Sequence, residues 1–437
     1  MNPIAKELNQ TITSGNANLM AMFSDIGQNL FFPKGILTQS AEAKEKAHKF
    51  NATVGIATEN GNTMHLPSVM SAITDITPEN ALTYAPSYGL PELRQTWREA
   101  LHRKNPSIDA PEAISLPVVT SGITHGISVF ADIWVKPDDV IILPDMMWGN
   151  YNMIFCVRKG ARIEQYPLFS QSGGFNLDAF ERTVRQQAED RRKIIVLLNF
   201  PHNPSGYTIT EAEADRIVEI LTRLAEGGIN VIAVTDDSYF GLFYEEDTLK
   251  ESVFARLYNK HPRILAVKLD GATKEDFVWG LRVGFITYGN KIEGDTDAVY
   301  DALVKKTAGC VRGMVSNASR LSQSLLLNAM QNDAYQSEKQ AKTAILKARA
   351  LCVKKVLADP KYSQAWDVYP FNSGYFMCIR LKKHDAETVR RHLLDKYGVG
   401  LIAIGQKNLR VAFSCLDENQ IPELFDILLQ GIEDLDK

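Results

Sequence analysis

Short runs of apolar, often β-branched residues recur along the middle of the chain and alternate with longer amphipathic stretches. The runs cover residues 118–120, 140–143, 194–200, 231–235, 264–267 and 283–288. Consecutive apolar positions over such lengths are typical of strands buried on both faces, whereas the stretches between them have the length of helices. Strands that alternate with helices predict a mostly parallel sheet covered on both faces, and therefore an α/β fold.

The pattern changes in the last third of the chain. Residues 333–357 are rich in Ala, Lys and Gln and predict one long helix that leads to a second unit. That unit has strand-like runs at residues 374–379 and 409–414 and a closing helix from about residue 417. We therefore expect an N-terminal segment that packs on the small domain, a large domain and a smaller α+β domain, at residues 1–75, 76–325 and 326–437.

Composition excludes several classes of protein. The 437 residues exceed one ordinary domain. The 48 basic and 52 acidic residues nearly balance, so the composition does not indicate a protein that binds nucleic acid or a membrane surface. The five cysteines are sparse and lack metal-type spacing, so we expect a reducing, cytoplasmic compartment and no metal site. The N-terminus has no apolar leader, and no run approaches the length that spans a membrane.

Two basic residues follow the strand-like run at residues 264–267. Lys274 ends the sequence Gly-Ala-Thr-Lys, and Arg282 stands eight positions later in Gly-Leu-Arg-Val-Gly-Phe. A lysine amine forms an imine with an aldehyde, and an arginine fork binds a phosphate. The pair therefore suits a small phosphorylated aldehyde such as pyridoxal phosphate (PLP). A surface lysine and a structural arginine are the alternative, so the other atoms of PLP need partners elsewhere in the chain.

An acid follows the next apolar run upstream. Asp236 and Asp237 come directly after residues 231–235, at the edge where open α/β sheets bind ligands. An ionised acid there would keep a pyridine nitrogen protonated, and Tyr239 could direct its phenol to the hydroxyl of the ring. These acids could instead cap a turn. The sequence Asn-Pro-Ser-Gly at residues 203–206 is, by composition, a turn signal.

Taken together, these segments resemble class I and II aminotransferases, which are PLP enzymes of fold type I. The resemblance rests on Asn-Phe-Pro-His-Asn-Pro-Ser-Gly at residues 199–206, Asp-Asp-Ser-Tyr at residues 236–239, and the Lys274–Arg282 pair. It extends from about residue 51 to residue 413. It implies that Asn203 and Tyr239 bond the ring hydroxyl, Asp236 pairs with the ring nitrogen and Lys274 forms the Schiff base.

Upstream segments extend the resemblance to the phosphate and to the ring face. Gly122, Ile123 and Thr124 form a strand–glycine–helix corner that is similar to the family's phosphate cup. Trp148 lies in the segment that supplies the aromatic side chain stacked on the pyridine ring. Tyr84, five residues before a glycine, matches the tyrosine that reaches the partner's phosphate across a dimer interface. The resemblance therefore implies a homodimer with shared active sites.

Further residues resemble the family's substrate site. Arg410, in a strand-like apolar run, matches the arginine that binds the α-carboxylate, and Gly55 lies in a segment that lines the substrate pocket. Arg312, four residues before a serine, has the spacing of the arginine that binds a side-chain carboxylate in the neighbouring subunit. Gly271 departs from the family's usual Ser or Thr, and Thr273 is expected to supply part of the lost phosphate contact.

The expected function is that of a PLP-dependent aminotransferase (transaminase) in amino-acid metabolism. It would move the amino group of an L-amino acid, aspartate/glutamate-type or aromatic, to a 2-oxo acid such as 2-oxoglutarate, with pyridoxamine phosphate as the intermediate. A β-lyase or decarboxylase on the same scaffold is the main alternative, because pocket geometry decides which bond breaks. A PLP-binding regulator is a further alternative. Such proteins usually add a DNA-binding domain to this module, and we do not expect one here because the fifty or so residues before the module are too few for it.

Overall fold

The structure, a computed structural model, describes residues 1–33 and 35–436. Within them the strands are β1 (Phe50–Asn51), β2 (Thr58–Glu59), β3 (Asn62–Thr63), β4 (Val118–Thr120), β5 (Val140–Pro144), β6 (Arg162–Tyr166), β7 (Lys193–Leu198), β8 (Asn230–Asp236), β9 (Ile264–Gly271), β10 (Gly284–Gly289), β11 (Trp366–Val368), β12 (Phe376–Leu381), β13 (Val399–Gly400), β14 (Ile402–Ile404) and β15 (Asn408–Ala412).

The helices run between and around these strands. They are α1 (Pro3–Gly15), α2 (Ala17–Ala21), α3 (Asp25–Asn29), α4 (Ile36–Lys46), α5 (Pro67–Thr74), α6 (Pro78–Leu82), α7 (Pro91–Lys104), α8 (Ile123–Trp134), α9 (Leu177–Glu189), α10 (Glu211–Glu226), α11 (Val253–Leu257), α12 (Ala272–Glu275), α13 (Thr296–Val315), α14 (Arg320–Met330), α15 (Tyr335–Leu357), α16 (Ala386–His392) and α17 (Ile421–Leu435). In the described part of the chain, no helix combines the length and the apolar character needed to cross a lipid bilayer.

A seven-stranded sheet, in the order β4-β10-β9-β8-β7-β5-β6, forms the centre of the fold. Neighbouring strands are parallel except at β10, which is antiparallel to both β9 and β4. Residues 272–283, which include the one-turn helix α12, connect β9 to β10, and the chain returns antiparallel to β9. The sheet confirms the α/β fold and the mostly parallel strand order predicted from the sequence.

The central strands are buried because both faces of the large sheet are covered. In β8, Val231 and Ala233 pack into one apolar cluster, whereas Ile232 and Val234 pack into a second cluster on the opposite face. This division follows from the two-residue repeat of a strand. The strands therefore form a rigid platform, and their carboxyl ends meet along one edge of the sheet.

A smaller antiparallel sheet, in the order β11-β12-β15-β14, is built from the last quarter of the chain. The long helix α15 begins at Tyr335, close to the predicted position, and leads to this sheet. The N-terminal segment reaches the same region, because β1 pairs in parallel with β13. The domain boundaries given above stay a prediction.

Candidate active site

A cavity of about 310 Å³ opens at the carboxyl edge of the large sheet, between that sheet and the smaller one. It brings together most of the site residues predicted from the sequence, although they are distant along the chain. Those in its wall are Gly55, Ile123, Thr124, Trp148, Asn203, Asp236, Tyr239, Thr273, Lys274, Arg282 and Arg410. Because β4, β5, β7, β8 and β9 run parallel, their carboxyl ends bring together all of these residues except Gly55 and Arg410.

Lys274 lies on the one-turn helix α12, directly after β9. The Tyr375 hydroxyl donates to its backbone carbonyl over 2.9 Å, and its Nζ stands 5.0 Å from the centre of the Tyr239 ring. Among the described residues, the amine makes no ion pair. Burial lowers the pKa of Lys274 to about 8, with Arg282 adding to the effect and Asp236 opposing it. A substantial fraction of the amine is therefore neutral near physiological pH, as a nucleophile or general base requires.

Asp236 ends β8 with a buried carboxyl group that is fully oriented by its neighbours. Its Oδ2 accepts from the Tyr151 hydroxyl over 2.6 Å, and its Oδ1 accepts from the Ser238 Oγ over 2.5 Å. Burial raises the pKa of Asp236, while the Ser238 and Tyr151 donors act against that rise. Sequence reasoning did not single out Tyr151 or Ser238. The position of Tyr151, three residues after Trp148, was the available signal.

The corner between β4 and α8 has the geometry of an anion site. Gly122 has a φ of 80°, and a Cβ there would lie 2.3 Å from Arg282 Nη2. Only glycine therefore lets the guanidinium approach the first turn of α8. Ile123 and Thr124 begin that helix, where backbone N–H groups without helical partners favour a phosphate. Arg282 is solvent-exposed in the cavity wall at this corner, and it donates to the Trp279 carbonyl over 3.3 Å.

The departure at Gly271 has a steric cause. Gly271 stands opposite Gly284 in the β9–β10 pair. A Cβ at Gly271 would lie 2.6 Å from the Val283 carbonyl oxygen and 2.8 Å from the Gly284 Cα. The close approach of two strands therefore excludes any side chain at this position. Thr273 is buried in the cavity wall two residues further on.

Arg410, on β15, brings the smaller sheet to the cavity. Its Nη2 donates to the Thr53 carbonyl over 2.8 Å, and its Nη1 donates to Asn203 Oδ1 over 3.2 Å. The guanidinium carbon lies 4.1 Å from the centre of the Phe376 ring. Among the described residues, no carboxylate pairs with Arg410, and its buried Nε has no partner. A buried, unpaired guanidinium is costly, so this group is suited to an anionic ligand.

Gly55 lies beside Arg410's end of the cavity. A Cβ at Gly55 would stand 3.5 Å from both the Tyr239 hydroxyl and the Phe376 ring, which is ordinary contact. Three predicted residues are not in the cavity wall: Gly122, which precedes Ile123 at the corner described above, and Tyr84 and Arg312, which lie elsewhere on the surface. Tyr84 is 86% exposed, and Arg312 is exposed on α13, where it donates to Ser316 Oγ over 2.9 Å.

The residues in the cavity fit PLP in their chemistry. The Lys274 amine suits an aldehyde, and the corner at Gly122 and Arg282 suits a phosphate. The Asp236 carboxyl group, held by two donors, suits a protonated pyridine nitrogen. The unpartnered Nε of Arg410 suits a substrate carboxylate.

Comparisons with known proteins identify the family of the chain. The family model for aminotransferase class I and II matches residues 47–428. A probable N-acetyl-LL-diaminopimelate aminotransferase from Bacillus subtilis is 24% identical over 379 residues, 84% of each chain. A probable aspartate/prephenate aminotransferase from Aquifex aeolicus is 25% identical over 300 residues, 69% of each chain.

Solved structures show the same fold. An aminotransferase from Anaerococcus prevotii superposes with a TM-score of 0.83 at 21% identity, covering 94% of this chain and 99% of its own. A Pyrococcus horikoshii kynurenine aminotransferase has a TM-score of 0.78 at 16% identity, covering 97% of this chain and all of its own. Because the family model spans most of the sequence, the chain belongs to the class I and II aminotransferases.

Proposed function

We propose that the cavity is the active site in which this PLP-dependent aminotransferase passes the amino group of an L-amino acid to a 2-oxo acid such as 2-oxoglutarate. The observation that carries the proposal is the state of Lys274. Its amine shares the cavity wall with Asp236 and Arg282, makes no ion pair among the described residues, and has a pKa lowered to about 8. An amine in that state is able to react with an aldehyde and to move protons.

Each residue of the site then has a role towards the cofactor. Lys274 would form the Schiff base, Asp236 would hold the proton of the ring nitrogen, and Asn203 and Tyr239 would bond the ring hydroxyl. Trp148 would cover the ring face. The phosphate would be held by Gly122, Ile123, Thr124, Thr273 and Arg282. When bound, PLP supplies the electron sink that makes the Cα–H bond of an amino acid acidic.

The chain's own groups perform the remaining work. Arg410 binds the α-carboxylate as a fork, with Asn203 and Thr53 fixing the orientation of the guanidinium. Gly55 lies at the same end of the pocket. With the amino donor bound, the neutral Lys274 Nζ would take the proton from Cα and hold it as an ammonium, and with the 2-oxo acid as acceptor it would give a proton back to Cα. Tyr375, bonded to the Lys274 carbonyl, holds the backbone from which the amine acts.

The exposed positions of Tyr84 and Arg312 support a homodimer with shared active sites. Met70, Ile73 and Leu82, on α5 and α6, are also exposed and give this side of the chain an apolar surface. In the dimer, Tyr84 would contact the partner's phosphate site, and Arg312 would bind the side-chain carboxylate of a dicarboxylic donor. The name of the Aquifex aeolicus relative supports donors of that kind.

The domain division at residues 75/76 and 325/326, with the cavity between the large and small domains, belongs to the same proposal. So does a cytoplasmic location, which the five free cysteines support because reduced thiols persist in reducing compartments. A lyase or decarboxylase gains no support, since the relatives reported above are all named as aminotransferases.

The test is an absorbance spectrum of the purified, PLP-loaded protein, followed by L-aspartate or L-phenylalanine without any acceptor. We expect the imine band to convert to the pyridoxamine band in a single turnover, and 2-oxoglutarate to restore it. Conversion by phenylalanine alone would remove the dicarboxylate assignment and keep the transaminase. Continuous release of ammonia or carbon dioxide without an acceptor would instead identify a lyase or a decarboxylase.

A further inference from the structure

A second group of charges is buried behind the corner that carries Lys274, on the side away from the cavity. None of its members lines that cavity. We call it the buried ion cluster, and it comprises Asp237, Asp270, Glu275 and Asp276 with Lys104, Lys268 and Lys339. Asp237 is next to Asp236, and Glu275 is next to Lys274. Asp236 and Lys274 therefore line the cavity, whereas the residue after each of them belongs to the buried ion cluster.

Lys339 is paired with two consecutive acids of this cluster at once. Its Nζ lies 2.9 Å from Glu275 Oε1 and 2.7 Å from Asp276 Oδ1, so that it bridges two consecutive residues. Lys104, on α7, pairs with Glu275 alone over 2.9 Å. The Tyr335 hydroxyl also donates to Asp276. Among the described residues, Lys339 is therefore the one base paired with Asp276, which is fully buried.

The helix that carries Lys339 also holds the strand end near Arg410. Arg349, ten residues further along α15, donates from Nη1 to the Ser414 carbonyl over 2.7 Å and from Nη2 to Asp417 over 2.8 Å. Ser414 lies just beyond β15, four residues after Arg410. Ten residues of α-helix span about 15 Å. One rigid element thus connects the corner of Lys274 to the strand of Arg410.

We propose that Lys339 is a positioning residue that fixes the Lys274 corner to α15 and so sets the place of the amine relative to Arg410. The inference rests on the proposed roles of Lys274 and Arg410. Reaction rates respond steeply to such placement, because a displacement of about 1 Å costs on the order of a hundredfold. Lys339 does not touch the cavity and acts only through Glu275 and Asp276.

Lys104 offers a matched control, because it pairs with the same Glu275 from α7 and, among the described residues, makes no ion pair or hydrogen bond to α15. Four PLP-loaded variants separate positioning from stability: Lys339→Met, Lys104→Met, Lys339→Arg, and the double variant Lys339→Met with Asp276→Asn. The double variant removes the buried charge together with its partner, so it folds even where Lys339→Met alone does not. The measurements are Tm, the pH titration of the imine absorbance, and the single-turnover rate with L-aspartate or L-phenylalanine.

We expect Lys339→Met to lower Tm, to shift the imine titration by about half a pH unit or more, and to slow the single turnover by about tenfold or more. The double variant regains Tm but stays slow and shifted, because the ion pairs from α15 to Glu275 and Asp276 are still missing and the hydrogen bond that Tyr335 can donate to residue 276 does not replace them. Lys104→Met loses Tm while its rate and titration stay near wild type, and Lys339→Arg keeps the wild-type rate.

The inference is overturned if the double variant recovers rate and titration along with Tm, or if Lys104→Met and Lys339→Met lose rate equally. In either case Lys339 acts only through stability. Failure of the proposed function has a different signature, since wild-type protein would then show no imine band with PLP. The two failures are therefore distinguishable in one series of spectra.

Discussion

The two sides of one sheet edge differ in how their charges are paired. Asp236 and Lys274 face the cavity, and neither makes an ion pair among the described residues. Asp237 and Glu275, their immediate neighbours in sequence, are paired with Lys268 and with Lys104 and Lys339. Burial without pairing is costly, whereas burial with pairing holds elements together. We infer that the side with unpaired charges binds ligands, whereas the side with paired charges stabilises the fold.

The largest effect that tests this division is the loss of the lysine itself. Lys274→Ala removes the amine that would form the Schiff base and move the Cα proton. We expect transaminase activity to fall by about 10⁴-fold or more, since a positioned general base alone contributes up to that factor. Steady-state assays with a coupled 2-oxo acid product measure the loss, and an unchanged far-UV circular dichroism spectrum is the control. Near-normal activity would show that the catalytic amine lies elsewhere.

The neighbouring aspartates give the sharpest contrast. Asp236→Asn should lower kcat by about 10²-fold or more with a smaller loss of Tm than Asp237→Asn, because it removes the charge opposite the ring nitrogen and one of the two acceptors for Tyr151 and Ser238 but leaves no buried lysine unpaired. Asp237→Asn should instead destabilise the fold by about 3–5 kcal/mol, because Lys268 is fully buried and loses its nearest partner. Its kcat per folded molecule should change little. Equal effects of the two changes on kcat and Tm would remove the distinction between the two sides.

The buried, unpaired amine of Lys274 should lower the free energy of unfolding of the cofactor-free protein. The pKa of Lys274 is about 8 in the fold, against 10.5 in an unfolded chain. Burial of the charged amine therefore lowers the free energy of unfolding by its full amount below pH 8. This loss of stability disappears as the pH rises from 8 to 10.5. Lys274→Met should raise the free energy of unfolding at pH 7 by at most about 3 kcal/mol, because the amine keeps some exposure to the cavity.

Urea denaturation of the cofactor-free proteins at pH 7 and at pH 10 measures this gain, which should be smaller at pH 10. Lys268→Met is the matched control, since it removes a paired lysine and should destabilise the protein at pH 7. A destabilised Lys274→Met at pH 7 would contradict the assignment of Lys274 as an unpaired group.

Arg410 tests the same idea on the smaller sheet. Arg410→Lys keeps the charge but loses the planar fork, and with it the bidentate contact to a carboxylate. We expect KM for the amino donor to rise about tenfold or more while PLP absorbance stays unchanged. Titration of the imine band with the donor measures the effect. An unchanged KM would place the carboxylate site away from Arg410.

The smallest expected effect concerns substrate choice. Arg312→Ala should weaken turnover of L-aspartate by about tenfold relative to L-phenylalanine, because only aspartate carries a second carboxylate. The ratio of kcat/KM for the two donors measures it. Equal losses for both donors would show that Arg312 does not bind a side-chain carboxylate.

The residues at strand ends were predictable from the sequence, because the apolar runs locate each strand and parallel strands end at one edge. Asp236, Lys274 and the Gly122 corner follow directly from that rule. The donors to Asp236 were not predictable, since Tyr151 reaches it only through the local path of the chain after Trp148. Residues that approach from far along the chain are beyond such reasoning.

Lys339 shows the same limit more clearly. Its position on α15 was predicted only as part of a long helix, and nothing in that stretch indicates that the lysine meets Glu275 and Asp276. Gly271 is a second case, because its need for no side chain arises from the pairing of β9 with β10. Sequence patterns predict elements and their ends, whereas contacts between elements depend on packing.

Borohydride reduction of the PLP-loaded protein, followed by peptide mass mapping, tests the central claim most directly. Reduction fixes the cofactor to whichever lysine forms the imine. We expect the label to lie on Lys274 alone, whereas Lys268, buried and paired on the other side of the corner, stays unmodified. A label on Lys268 or on Lys104, or no label at all, would contradict the assignment of the unpaired side as the cofactor site.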